Sequence, residues 1–230
     1  MYYYNYYGIE YIFVILAIII TLGAQFYINS KYEQTKKIKT KKGLKGHEVA
    51  RMILDNNDLK NVKVEETTGL LSDHYDPSKK VVRLSSEIYN NTSISSVSVA
   101  AHECGHAIQD KNDYFFLRLR NLIIPIVNIS STAGYIAIVI GLLSRATNLI
   151  VIGIIFELVI LLFQIITLPV EFNASRRGLK QIEELKIVQE DELRLSRSML
   201  KAAALTYVAG VASTLLQIIR LLLVINRNKR

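Results

Sequence analysis

The run Ala100-Ala101-His102-Glu103-Cys104-Gly105-His106-Ala107-Ile108 contains an H-E-x-x-H motif in a helical setting. Ser95, Ser96 and Ser98 lead into it, and Val97, Val99, Ala100 and Ala101 supply small apolar packing residues. On a helix, residues i and i+4 lie one above the other, so both imidazoles can reach one metal ion. Glu103 follows the first histidine and can sit beside an open coordination position, where it takes a proton from bound water. At ordinary residue frequencies such a match arises by chance about once in a hundred chains of this length. Cys104, the single cysteine, is two positions from each histidine. It should point away from their shared face and pack as a small apolar residue. With one cysteine no intrachain disulfide forms, which fits a reducing compartment.

A catalytic zinc keeps three protein ligands and one open position. The remaining histidines, His47 and His74, both lie upstream of the motif, so a third His shortly after the helix is excluded. The candidates are carboxylates: Asp110 and Asp113, Glu171, and the group Glu183, Glu184 and Glu190. Asp110 is i+4 from His106 and on roughly the same face, within reach of the metal or of its ligands. Glu171 is the strongest candidate. It opens Glu171-Phe172-Asn173-Ala174-Ser175-Arg176-Arg177 at the end of an apolar span, and the two intervening spans form a hairpin that returns the chain to the motif's side.

Those spans set the class of protein. Half of the 230 residues are hydrophobic, yet 21% are charged, so apolar blocks alternate with charged ones. Four blocks stand out, at 9–28, 122–143, 149–170 and 202–225. Each has about 20 residues or slightly more, enough to cross a ~30 Å hydrocarbon core as a helix. As buried helices of a soluble domain they would leave too little polar surface to cover them. The first block is read as a retained anchor: Met1 to Glu10 carries no Lys or Arg, unlike the start of a secretory signal. Tyr2, Tyr3, Tyr4, Tyr6 and Tyr7 suit an interfacial aromatic belt.

The formal charge of +8 would suggest nucleic acid in a soluble protein. Here anionic head groups and topology control explain it, and no nucleic-acid partner is expected. Lysines crowd the segment after the first span, and Arg176, Arg177 and Lys180 follow the third. The loop between spans two and three has Arg145 alone. Both long polar segments are therefore expected in the cytoplasm and the N-terminus outside, in a cell-membrane protein. Alternation then puts Arg227, Lys229 and Arg230 outside, against the rule locally. The expected organisation is an anchor at 1–29, a cytoplasmic catalytic segment at 30–121, a transmembrane hairpin at 122–170, a cytoplasmic helical segment with the third ligand at 171–201, and a fourth span with a basic tail at 202–230.

Within the larger polar segment, His47 to Asn56 reads as a short helix, and Asn61 to Glu66 alternates as a strand. Asp73-His74-Tyr75-Asp76-Pro77 is turn chemistry. Val81 to Ser85 reads as a second strand, with an edge free to pair with an extended peptide. From Glu171 to Lys201 the apolar residues recur at helical spacing. The fold expected is mainly α: a helical integral membrane protein with about four transmembrane helices and a small α+β zincin-like catalytic part.

The order of anchor, strand, turn, strand, His-Glu-Cys-Gly-His, two spans and Glu-Phe-Asn-Ala-Ser-Arg-Arg resembles the YugP-like family of membrane neutral zinc metallopeptidases over nearly the whole chain. From Asp76 to Arg177 it is more distantly similar to HtpX-type membrane peptidases and prenyl-protein (CAAX) proteases. Asp76, Pro77, Arg83, Leu84 and Ser85 also follow their pattern. The resemblance implies a gluzincin-type peptidase facing the cytoplasm, with an E-x-x-A-D glutamate as third ligand. This chain departs at the Asp of that motif, which is Ser175. In the HtpX pattern that Asp supports a histidine ligand, and Ser175 is a weaker acceptor.

The reading is a zinc-dependent endopeptidase acting on peptide or membrane-protein substrates at the membrane surface. His102, His106 and Glu171 are the expected ligands and Glu103 the general base. His74, Tyr75, Arg176 and Arg177 are candidate oxyanion donors. Two alternatives differ in kind. One is an intramembrane metalloprotease, which carries the motif inside a hydrophobic span. The other is a catalytically silent zinc-binding adaptor, which has no need of Glu103. Oligomeric state is not legible in the sequence.

Overall fold

A computed structural model describes residues 8–69 and 72–228. Tyr2, Tyr3, Tyr4, Tyr6, Tyr7, Lys229 and Arg230, and the expectations attached to them, lie outside the described residues. The elements run α1 (Ile9–Lys36), α2 (Gly46–Asn56), β1 (Lys63–Thr67), β2 (His74–Asp76), β3 (Val81–Ser85), α3 (Ser86–Asn90), α4 (Ile94–Lys111), α5 (Phe115–Ser144), α6 (Thr147–Glu184) and α7 (Glu190–Asn228). They divide between two compact units. The first holds 1–25, 119–168 and 206–230; the second holds 26–118 and 169–205.

The first unit is helical. Among the described residues four helices, α1, α5, α6 and α7, are long and apolar enough to cross a membrane. The motif helix α4 is not one of them. Isoleucines and leucines such as Ile19, Leu22, Ile129 and Leu143 are exposed, as expected of side chains meant for lipid. Ile138, Ile150, Leu161, Ile218 and Leu221 pack inward. Polar contacts tie α1 to α7: Thr21 Oγ1 to Ser213 Oγ at 2.9 Å, and the Ser213 hydroxyl to the Ala17 carbonyl at 3.2 Å. Arg227 forms an ion pair with the buried Glu10. The far end of α7 thus meets the start of α1, and Arg227 has its countercharge in the same unit.

The second unit carries the sheet, in the order β1-β3-β2. β1 runs parallel to β3, pairing Lys63 with Val81 through Thr67 with Ser85. β2 runs antiparallel to β3, pairing His74 with Arg83 and Asp76 with Val81. Two readings of the sequence are corrected here. Val81–Ser85 is the central strand, with β1 along the whole of one edge and β2 along residues 81–83 of the other, so it is not a free-edged strand. His74–Asp76 is a strand and not a turn. The turn chemistry acts one step later, where the Asp76 carboxylate accepts from the Ser78 main-chain N–H at 3.0 Å and the Ser78 hydroxyl at 2.6 Å.

α4 starts at Ser93, whose side chain accepts from the Ser96 N–H at 3.2 Å. That caps one of the donors a helix N-terminus leaves free. The core of this unit packs Val49, Ile53 and Leu54 of α2 against Val82 and Leu84 of β3 and Ala101 and Cys104 of α4. Each such large aliphatic side chain contributes roughly 1.5–3 kcal/mol by leaving water. Cys104 is fully buried, its thiol toward the Ala50 carbonyl at 3.5 Å, as its helix position predicts. The helical periodicity from Glu171 to Lys201 belongs to two helices. Lys186 adopts φ 51°, and Ile187 N–H returns to the Ile182 carbonyl at 2.9 Å, ending α6. α7 then begins with Glu192 accepting from the Gln189 N–H at 2.8 Å.

Candidate metal centre

His102, His106 and Glu171 converge, with one ligand atom from each lying within 4.8 Å of the others. Glu171 Oε2 is 3.3 Å from His102 Nε2 and 3.7 Å from His106 Nε2. The two rings stand edge to face, centroids 4.8 Å apart at 84°. All three residues belong to the second unit, the histidines on α4 and Glu171 on the last third of α6. Donors bound tetrahedrally to one zinc at ~2.0–2.2 Å lie about 3.4 Å from one another. The two distances from Glu171 and the donor set, two imidazoles and one carboxylate, both fit a zinc ion with a position left open.

Close helix packing makes this convergence possible. Gly105 of α4 lies against the backbone of α6, where an added Cβ would meet the Ala174 carbonyl oxygen at 2.2 Å. Gly178 of α6 lies reciprocally against α4, where a Cβ would meet the Ala101 oxygen at 2.5 Å. Ala101 and Gly105 are one turn apart, as are Ala174 and Gly178, so four small residues let the two backbones touch.

Each histidine presents Nε2 to Glu171 because Nδ1 is held from behind. His102 Nδ1 meets Ser175 Oγ at 3.0 Å. The serine that stands in place of the E-x-x-A-D aspartate therefore takes up the contact directly. His106 Nδ1 meets Gln109 Oε1 at 3.0 Å. The Gln109 amide donates to the Val170 carbonyl at 2.7 Å and to Asn173 Oδ1 at 3.1 Å. Asn173 also accepts from Arg177 Nε at 2.7 Å. Such partners fix which imidazole nitrogen is free for a metal.

Glu103 is buried beside the cluster. Burial pushes its carboxyl up to about 7; the neighbouring His102 pulls it down, the Glu171 and Asp73 charges push it up, and the Tyr75 main-chain N–H pulls it down. Asp73 is itself anchored by the Ser85 N–H at 2.7 Å and the Ser85 hydroxyl at 3.0 Å.

Several candidates lie elsewhere. Asp110 does not reach the cluster: its carboxylate takes the Tyr75 hydroxyl at 2.7 Å and Lys80 Nζ at 2.5 Å. Tyr75 accordingly approaches Glu103 through its main chain and not its phenol. His74 is exposed, between the Ser72 carbonyl at 2.7 Å and Arg83 at 3.4 Å. Arg176 is exposed, next to Ser175 but off the face of α6 that carries Glu171 and Ser175. Arg177 stacks over the Tyr114 ring at 6.0 Å. Asp113 pairs with Arg118, and Glu183, Glu184 and Glu190 are exposed. Gln109, Asn173 and the glycine pair were not singled out from sequence. A glutamine three residues after His106 shares its helix face, and that spacing was the available signal.

An H-E-x-x-H helix set against a glutamate from another helix is an arrangement of zinc hydrolases. Comparison with known proteins narrows the class. The model of the family described as "Putative neutral zinc metallopeptidase" matches residues 10–226, and the chain belongs to that family. It is also 42% identical over 210 residues to the "Putative membrane protease YugP" of Bacillus subtilis (strain 168), covering 91% of this chain and 93% of that protein. No solved structure matches the chain. Zinc is the cofactor that the family implies, and the three-donor cluster is where a metal ion could be held.

Proposed function

We propose that this chain is a membrane-bound endopeptidase of the gluzincin type, with His102, His106 and Glu171 as zinc ligands and its site at the cytoplasmic surface of the cell membrane. The observation that carries the reading is the convergence of three donor atoms within 4.8 Å, with a buried Glu103 alongside. Zinc held there supplies a Lewis acid for the scissile carbonyl and lowers the pKa of a water toward ~7. Glu103 accepts the proton of the attacking water and delivers it to the leaving amine. A carboxyl raised to about 7 is suited to both steps at neutral pH. Ser175 and Gln109 hold the two imidazoles in register. β2 pairs with β3 along one edge only, and its Tyr75 N–H lies at the Glu103 carboxylate. An extended substrate peptide adds along that edge. The cytoplasmic orientation rests on the lysines that follow α1.

A pair of variants tests the assignment in purified protein. Glu103→Gln keeps shape and removes basicity, so it should retain one zinc per chain and lose cleavage of an unfolded protein substrate by orders of magnitude. Glu171→Ala should lose the zinc itself. Full activity in Glu103→Gln would refute the mechanism, and unchanged zinc in Glu171→Ala would refute the ligand set. The same pair separates a peptidase from a zinc-binding adaptor, which has no use for Glu103.

A further inference from the structure

We propose that the loop following α1 is a binding surface for anionic phospholipid head groups, built from Lys37, Lys39, Lys42 and Lys45. Between residues 31 and 45 the chain carries seven lysines and one acid, Glu33. Three of the seven are engaged within the protein: Lys31 with Gln34 at 3.4 Å, Lys36 with Glu87 at 2.6 Å, and Lys41 with Asp191 at 3.0 Å. Lys37, Lys39, Lys42 and Lys45 are exposed, and no ion pair involves them among the described residues. Acids do flank the loop, but they are occupied. Glu192 accepts the Lys41 main-chain N–H at 2.7 Å, and Glu48 accepts that of Lys45 at 2.7 Å.

Chain continuity favours lipid over a soluble acidic partner. The apolar part of α1 ends near Ile28, and α1 continues as helix to Lys36. At 1.5 Å per residue that is about 12 Å of rise at most. The head-group layer takes up roughly 5–7 Å of it, and the remainder is within a Debye length of about 8–10 Å. The loop then turns back on itself and does not run on into solution. Gly43 takes φ 64°, and its N–H returns to the Thr40 carbonyl at 3.1 Å. A juxtamembrane cluster of four or more lysines has the charge to gather anionic lipid.

The loop is rigid where it meets the catalytic half. Ile94 N–H donates to the Ile38 carbonyl at 2.9 Å, and Thr40 N–H to the Thr92 carbonyl at 2.9 Å. Lys39 forms an isolated bridge with Ser93, the N-cap of α4. The lysines therefore sit on a fixed scaffold stitched to the start of the helix that bears both histidines.

The chain has no tryptophan, so one introduced at the exposed Gln34 reports on its neighbours alone. The full-length Gln34→Trp protein is reconstituted in nanodiscs holding equal amounts of dibrominated phosphatidylglycerol or dibrominated phosphatidylcholine. At about 0.1 M salt the anionic lipid should quench at least about twice as strongly, and the preference should vanish at about 1 M salt. Substituting Lys37, Lys39, Lys42 and Lys45 by Gln should remove the preference while zinc content stays at the parent level. Equal quenching by both lipids at low salt would overturn the proposal. So would a preference that survives the four substitutions. The salt series needs no substituted lysine, so it decides the matter even if the multiple variant folds poorly.

Discussion

Replacing Gly105 by alanine should dismantle the metal centre without touching a ligand. The added methyl carbon would lie 2.2 Å from the Ala174 oxygen and 2.9 Å from its carbonyl carbon. Both are helix backbone and cannot swing aside. Relaxing to an ordinary contact of about 3.4 Å requires α4 and α6 to part by about 1 Å at this crossing, at a cost of roughly 1–3 kcal/mol for overpacking. His102 Nε2 and His106 Nε2 now sit 3.3 and 3.7 Å from Glu171 Oε2. Adding that separation puts the distances near 4.3 and 4.7 Å, whereas two ligand bonds laid end to end through one zinc reach only about 4.2 Å. Glu171 can then no longer share an ion with both histidines. A displacement of about 1 Å at a catalytic constellation costs on the order of a hundredfold in rate. Zinc per chain by elemental analysis, and the rate of peptide cleavage, should both fall. Gly23→Ala is the control, because nothing lies within 4 Å of its Cβ position. A Gly105→Ala protein that binds one zinc and cleaves at the parent rate would refute the argument that this backbone contact sets the ligand spacing.

Three further outcomes are expected. In zinc-free protein the Glu103 carboxyl, raised from its ordinary 4.5 to about 7 by burial, favours the folded state below pH ~4.5. That contribution is lost as pH rises through 7, an amount of about 3 kcal/mol. Glu103→Gln should therefore melt higher than the parent apoprotein at pH 8 and lose that advantage near pH 5; equal melting at both would contradict it. Gln109→Leu should weaken zinc affinity about 10–100-fold, measured by competition with a chelator, while an exposed change such as Glu183→Gln leaves it unaltered. A cysteine placed at Lys41 should resist a membrane-impermeant thiol reagent in intact cells and react after permeabilisation; labelling in intact cells would invert the orientation. Cys104 is fully buried, so its background should be low.

The membrane helices and the motif helix were legible because each rests on a dense local signal: a run of apolar residues, or two histidines at helical spacing. The strand order was not, because it depends on pairings distant in sequence. Val81–Ser85 looked free-edged only while its neighbours were unknown. His74–Asp76 was misread because its Asp-Pro chemistry belongs to the turn one step later. The glycines illustrate a different limit. Gly105 stands inside the motif in plain view, but what it permits depends on Ala174, which only the packed fold brings alongside. Asp110 stands apart from the three-donor cluster for a similar reason. Its helix position allowed the cluster, but Tyr75 and Lys80 offered its carboxylate closer partners.

The contact between His102 and Ser175 joins residues 73 apart in sequence, and the intervening chain includes the whole of α5 and most of α6. At about 5–20 residues per second of synthesis, roughly 4–15 s separate the emergence of one partner from that of the other. During that interval the ribosome has already made the H-E-x-x-H helix but nothing to hold its first imidazole. On the proposed ligand set, the three donors can come together only once α5 and α6 have been made and folded back.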